Sequence, residues 1–469
     1  MQFINPEDQI LIFSNIFFLF RFLPVVLLIY YIVPYKYKNG IITIASLIFY
    51  SWGEVKYFPI MIASTVVDFF ASRTIERNRD NQKIKKICLA CSMVFNLGCL
   101  LFFKYTDFFI VNINNFFGTN IPLLHITLPL GISFYTFQTM SYTIDVYRGK
   151  VAAEKNTINF SAFVTMFPQL IAGPIVKYTD INEKLNTYEG RITLDGINEG
   201  IKWFILGMGK KVLIANNVGA LWTDIETMGF AVGTPLAWLG IVAYALQIYF
   251  DFSGYSLMAI GLGKMLGFDF PQNFNLPYIS KSITEFWRRW HMTLSGWFRE
   301  YVYIPLGGNR KGLKRQILNM LVVWFLTGFW HGADWNFMLW GLYYFMLLAV
   351  EKVFLLKFLQ KHPVFARMYT ILGFLIGWAI FYITDLPTLG SFIVTLFSFT
   401  PDARFGYYFG SYIVSIVIGI LCSTPLTTKF HDKFKDNNFV MIPLLTAIML
   451  LSIAYLVDST YNPFIYFRF

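Results

Sequence analysis

Residues 286–310 read FWRRWHMTLSGWFREYVYIPLGGNR, and after a short basic link a hydrophobic run closes on TGFWHG at 327–332. Two of the five histidines in the chain, His291 and His331, sit here, each directly after a tryptophan. Histidine changes charge near neutral pH, which suits it to moving protons. An ionisable group deep in membrane-type sequence is a functional-site hypothesis by default.

The surrounding chain is of membrane type. Its 469 residues are 56% hydrophobic and 14% charged, against about 25% charged in a soluble domain. A spanning helix takes about 20 mostly apolar residues. Candidate runs lie at 11–33, 57–70, 87–103, 236–262, 317–350, 368–383, 412–422 and 439–456. With the shorter, more polar pieces between them, we expect about ten to twelve transmembrane or re-entrant helices. Transmembrane strands would alternate with period two over about ten residues; these runs are longer and continuously apolar. The expected class is an all-α polytopic membrane protein. The first run lacks a basic leader, carries Arg21 and has no small-residue cleavage site, so it reads as a retained helix and not a signal peptide.

The net charge is +11. In a soluble protein that would suggest nucleic acid. Here the positive-inside rule accounts for it, so the expected partner is the bilayer and not nucleic acid. Arg73, Arg77, Arg79, Lys83, Lys85 and Lys86 mark one cytoplasmic link, Arg310, Lys311, Lys314 and Arg315 another, and 352–367 a third. Glu7 and Asp8 precede any basic residue, which places the N-terminus outside. Cys88 and Cys91 form a CxxC, but Cys99 and Cys422 make no second pair, so they read as apolar filling and not zinc ligands.

No soluble domain, low-complexity linker or internal repeat is evident, and 1–469 reads as one membrane domain. Three stretches combine membrane-like hydrophobicity with Gln, Asp, Ser, Pro and Gly: LPLGISFYTFQTMSYTIDVYRG (128–149), FPQLIAGPIVKY (167–178) and LQIYFDFSGYS (246–256). Lipid-facing helices do not need such residues. Broken backbone at membrane depth is tolerated where it lines a cavity, so an internal chamber is expected.

On one continuous helix Arg288, His291 and Ser295 would share a face, and Glu285 could pair with Arg288 or Arg289. The segment is too charged to span lipid and must lie at the interface or line a wet cavity. Phe286, Trp287, Trp290 and Trp297 supply its apolar side. His331 differs. The run leading to it rises about 21–24 Å as a helix, past the middle of a ~30 Å hydrocarbon core. Gly332 and Asp334 then interrupt the pattern, and Asp334 is a candidate orienter. A histidine in a membrane helix can simply bond a neighbouring carbonyl, and Trp-His can be an interfacial belt. Two such histidines beside such polar membrane segments favour function. A metal site is not expected, because the pair lacks further ligands at recognisable spacing.

The blocks WRRWHMTLSGWFREYVYIPLGGNR and GFWHGADWNFMLWG resemble the signature blocks of the membrane-bound O-acyltransferases (MBOATs), and the bacterial alginate O-acetyltransferase branch in particular. SLIFYSWGE (46–54), the polar stretches above and the ending NPFIYFRF (462–469) extend the likeness over essentially the whole chain. The resemblance implies a shell of helices around a central tunnel, with His331 as the family's invariant histidine and His291 as this branch's second one. It implies acetyl-CoA as donor, entering from the cytoplasm, with no bound cofactor or metal, because a thioester is already activated. His331 would act as general base on an incoming hydroxyl. His291 would polarise the donor carbonyl or stabilise the oxyanion. Arg288, Arg289, Arg310 and Lys311 are candidate contacts for the donor's phosphates. Gln138, Gln247, Asp251 and Ser295 are candidate tunnel-lining residues, with helix–helix hydrogen bonding as the alternative.

The last six residues, FIYFRF (464–469), resemble the C-terminal motif of the small peptide that works with the D-alanyl transferase of teichoic acids. Tyr466 is therefore a candidate acyl relay. It follows a hydrophobic run that leaves the basic link 429–435, which places the C-terminus outside. The expectation is a multi-pass protein of the bacterial cytoplasmic membrane. It would move acetyl groups to an extracellular or cell-wall polysaccharide, with an extracytoplasmic hydrolase-like transferase as partner. The alternatives are the sibling D-alanyl transferase, a lipid acyltransferase, and, from another class, a proton-coupled transporter or flippase whose histidines form a relay.

Overall fold

The computed structural model describes residues 12–187 and 190–458; Glu7, Asp8, Tyr466 and the 464–469 ending lie outside them. The described residues form helices joined by short links, with no strand among them. Six helices are long and apolar enough to cross a membrane: Phe58–Arg77, Gln82–Phe117, Thr234–Met265, Pro363–Tyr382, Phe405–Cys422 and Asn438–Asp458. Phe18–Ile32 and Leu386–Phe397 are shorter apolar pieces. The protein is thus an all-helical, multi-pass membrane protein.

Burial separates two kinds of long helix. The most apolar window of Gln82–Phe117 is 17% buried, and that of Thr234–Met265 is 83% buried. A helix that is apolar all round and enclosed by protein is a core element; one that turns its apolar side outward is lipid-facing.

The chain clusters into two compact units. The first joins the described part of Met1–Phe204 to Ser256–Pro271. It is pinned by buried polar networks. Asp68 accepts from Ser92, from Asn96 at 2.8 Å and from Thr143 at 3.0 Å, tying three helices together. Asn39 donates to Asn159 at 2.8 Å and accepts from Arg191 at 2.7 Å. Hydrogen bonds of this kind supply the glue that hydrophobicity cannot supply between helices in lipid.

The second unit comprises Ile205–Tyr255 and the described part of Gln272–Phe469. It contains a helical hairpin, Gly312–His331 and Trp335–Val350, turned at the Gly332 and Asp334 expected to interrupt the pattern. The side chain of Asp334 accepts from Trp335 N at 2.6 Å and caps the second helix. The two helices cross at glycines. A Cβ on Gly328 would lie 2.3 Å from the Phe337 carbonyl, and one on Gly341 would lie 2.4 Å from that of Trp324. Only hydrogen at these positions permits so close an approach. Elsewhere in this unit Lys211 pairs with Asp251 at 2.7 Å, both buried.

The expectation of one continuous helix through His291 fails. The segment is two short helices, Ile283–Arg289 and Met292–Phe298, and His291 sits between them in the left-handed region at φ 43° and ψ 55°. Arg288, His291 and Ser295 therefore do not form a helical stripe. A non-glycine residue rarely adopts this conformation, which persists only where its surroundings over-determine it.

Candidate active site

Those surroundings explain the break. The irregular segment 272–276 clasps both sides of it: Asn275 N donates to the Arg289 carbonyl at 2.9 Å, and Met292 N donates to the Asn273 carbonyl at 2.9 Å. Asn273 also takes His291 directly, with Nδ1 3.0 Å from its Oδ1. The imidazole is buried edge-on to Phe252, with ring centroids 4.8 Å apart.

The start of Ile283–Arg289 is fixed from a distance. Glu351 is buried and accepts from Ile283 N at 2.6 Å, Thr284 N at 2.8 Å and Thr284 Oγ1 at 2.6 Å. Ser282 adds a cap, its Oγ accepting from Glu285 N at 2.9 Å. A carboxylate against the N–H groups of a helix start satisfies donors that have no partner within the helix. Glu351 directly follows Trp335–Val350, so the element leaving the His331 hairpin also anchors the helix that leads to His291.

His331 ends its helix, buried among aromatic rings. Its centroid lies 5.0 Å from Trp330, 4.9 Å from Trp340 and 5.2 Å from Phe381, all at steep edge-to-face angles. The Trp330 ring is also 6.3 Å from His291. One indole therefore packs against both histidines. Residues 40 positions apart in sequence have been brought into a single apolar, buried centre.

The other candidates scatter. Arg289 pairs with Glu285 at 2.9 Å and donates to the Asn275 carbonyl at 3.1 Å, while Arg288, Arg310 and Lys311 are exposed. Ser295 lies one turn past His291 and donates to the Trp287 carbonyl at 3.3 Å. Asp251 directly precedes Phe252 and is held by Lys211. Gln247 packs over Gly219, where a Cβ would come within 2.2 Å of its amide nitrogen. Gln138 belongs to the first unit, buried in Ile132–Arg148 with both polar atoms of its amide unbonded. Among the described residues no group of three or more His, Cys, Asp or Glu is placed to hold a metal ion.

Sequence reasoning missed Asn273, Glu351, Lys211 and the double role of Trp330. Glu351 left a signal: a carboxylate at the end of an apolar run, just before the basic link 352–367. Asn273 left none, because it acts through a loop and not a periodic element.

Fold and site thus define a multi-pass helical membrane protein with a buried two-histidine centre. Comparison with known proteins narrows the class. Residues 152–393 match the model of the MBOAT, membrane-bound O-acyltransferase family. The chain is 41% identical over 397 residues to a probable alginate O-acetylase of Azotobacter vinelandii, covering 83% of this chain and 78% of that one. It is 38% identical over 384 residues to a peptidoglycan O-acetyltransferase of Helicobacter pylori, covering 74% and 71%. A teichoic acid D-alanyltransferase of Streptococcus thermophilus is more distant, at 31% over 244 residues, covering 49% and 58%. The protein belongs to the membrane-bound O-acyltransferase family.

Proposed function

We propose that this acyltransferase takes acetyl groups from acetyl-CoA at the cytoplasmic face and delivers them across the membrane for O-acetylation of an extracellular or cell-wall polysaccharide. The observation that carries the reading is the coincidence of two things. The relatives similar over most of the chain are O-acetylating enzymes of polysaccharide and wall polymer, and both histidines of their signature blocks are buried on one indole. D-alanyl transfer has weaker support, since its relatives match about half of the chain.

In this reading about ten to twelve membrane or re-entrant segments surround a tunnel in the bacterial cytoplasmic membrane, both termini outside. His331 is the general base: its neutral imidazole takes the hydroxyl proton as the oxygen attacks the thioester carbonyl, the C–S bond breaks, and the thiol leaves with a proton. Edge-to-face contacts with Trp330, Trp340 and Phe381 hold its ring in place. Exposed Arg288, Arg310 and Lys311, with Arg289, offer guanidinium and ammonium groups to the phosphates of the donor. Gln247, Asp251 and Ser295 line or brace the passage. Tyr466 relays the acetyl group to a hydrolase-like transferase outside or to sugar. No metal or other cofactor takes part.

The test is acetylated polymer from cells carrying His331→Ala or His291→Ala, with membrane expression matched. Losing the general base costs about 100- to 10,000-fold; full activity in His331→Ala rejects the assignment. Membranes supplied in turn with acetyl-CoA, a long-chain acyl-CoA and a D-alanyl carrier protein separate the donors. Uptake of label without acylation would point to a transporter. Tyr466→Phe, stably made, abolishes transfer if the relay operates and leaves it unchanged if it does not.

A further inference from the structure

The hydrogen bonds around His291 determine which of its nitrogens carries the hydrogen. Asn273 Oδ1 faces Nδ1 at 3.0 Å. The Thr293 N–H favours this orientation of the amide over the flipped one. Asn273 Oδ1 lies 3.4 Å from Thr293 N and 2.9 Å from Thr293 Oγ1, and a backbone N–H can only donate. The atom facing the ring is therefore a carbonyl oxygen, an acceptor, and Nδ1 must be the donor. A neutral imidazole has one N–H, so Nε2 presents a lone pair. That nitrogen is buried and has no hydrogen-bond partner among the described residues. A buried polar atom without a partner is costly, and in a native structure it needs a reason. The left-handed backbone of His291 points the same way, since strain of this kind gathers at functional positions.

We propose that Asn273 is a positioning residue that holds His291 as a hydrogen-bond acceptor, with Nε2 receiving an N–H or O–H group of a substrate. The proposal rests on the acyltransferase reading and changes the part His291 plays in it. Polarising a carbonyl or stabilising an oxyanion requires hydrogen on Nε2, and Asn273 places it on Nδ1. Burial against Phe252, Phe274 and Trp330 keeps the ring neutral by pushing its pKa below the ordinary histidine value. The two histidines then divide the work: His331 moves a proton, and His291 orients a substrate. Two substrate groups have the required chemistry. One is the amide N–H of the donor's pantetheine arm; the other is the hydroxyl of the acceptor.

The decisive measurement is the 15N spectrum of histidine-labelled protein in lipid nanodiscs, with the His291 signals assigned by their loss in His291→Asn. Wild type is expected to show Nδ1 protonated and Nε2 bare, and Asn273→Ala to mix the tautomers. A protonated Nε2 in wild type overturns the proposal, whatever reaction the protein performs. Kinetics supply the second arm. Asn273→Ala should lose about 10- to 100-fold in kcat/KM per folded molecule, and Asn273→Asp, which retains an acceptor, should recover most of it. A rise in KM for acetyl-CoA identifies the donor's N–H as the bound group; a fall in kcat at constant KM identifies the hydroxyl. Wild-type kinetics in Asn273→Ala overturn the proposal.

Discussion

His291 and His331 reach one indole by opposite routes. His331 is placed mainly by its neighbours in sequence: one helix ends on it, a capped turn follows, and the next helix packs back through glycines at 328 and 341, with Phe381 closing its cage from farther along the chain. His291 is placed by residues from elsewhere. Asn273 fixes its ring, Glu351 fixes the start of its helix, and Phe252, one residue past the Lys211–Asp251 pair, packs edge-to-face against it. The first arrangement is local and survives as a pattern in sequence. The second is a set of long-range contacts, so His291 should be the more vulnerable to substitutions far from it.

That contrast also decides what could be read in advance. The long apolar runs were legible because bilayer thickness fixes their length. His331 was legible because Gly332 and Asp334 end its apolar run, and the turn falls there. The helix through His291 was misread because residues 283–298 carry no proline or other obvious breaker at the bend. The break comes from the 272–276 segment, whose backbone competes for Arg289 O and Met292 N. No periodicity in the broken segment records a competitor lying in another loop. Glu351 was passed over because it falls between the apolar run ending at 350 and the basic link starting at 352, whereas its carboxylate is buried on a helix start.

The largest expected effect tests the most remote support. Lys211→Met leaves Asp251 charged and buried without its partner, which costs about 3–5 kcal/mol. Melting in detergent should show the loss. Lys211→Met with Asp251→Leu should regain most of it, because replacing a whole buried pair with apolar groups is often nearly neutral. If the double variant is as unstable as the single one, the pair does more than neutralise charge.

Glu351→Ala removes the acceptor of three hydrogen bonds from the helix before His291, a loss of about 3 kcal/mol. Glu351→Gln keeps an acceptor oxygen and should lie between. The contrast predicts that the His291 tautomer signal broadens in both variants while the packing of His331 holds. Equal disturbance of the two rings would mean that they form one unit. Gly328→Ala probes the local side. Its Cβ would lie 2.3 Å from the Phe337 carbonyl, so the hairpin must open, at about 1–3 kcal/mol. His331 should shift and His291 should follow only through Trp330.

The smallest effect belongs to neither histidine and serves as the control. Asp402 lies in the link between Leu386–Phe397 and Phe405–Cys422. It accepts from Gly233 N at 2.7 Å and pairs with Arg404 at 2.8 Å. The hydrogen bond from Arg404 holds its carboxyl well below the usual carboxylate range. A depressed folded-state pKa gives stability that is present above the unfolded value of about 3.9 and is lost as pH falls through the folded one. Wild type should therefore melt above Asp402→Asn at neutral pH, and the gap should narrow only below about pH 4. Because Asp402 touches neither imidazole, acyl transfer per folded molecule should be the same in the two proteins. A matching loss of transfer would show that this link reaches the histidine centre after all.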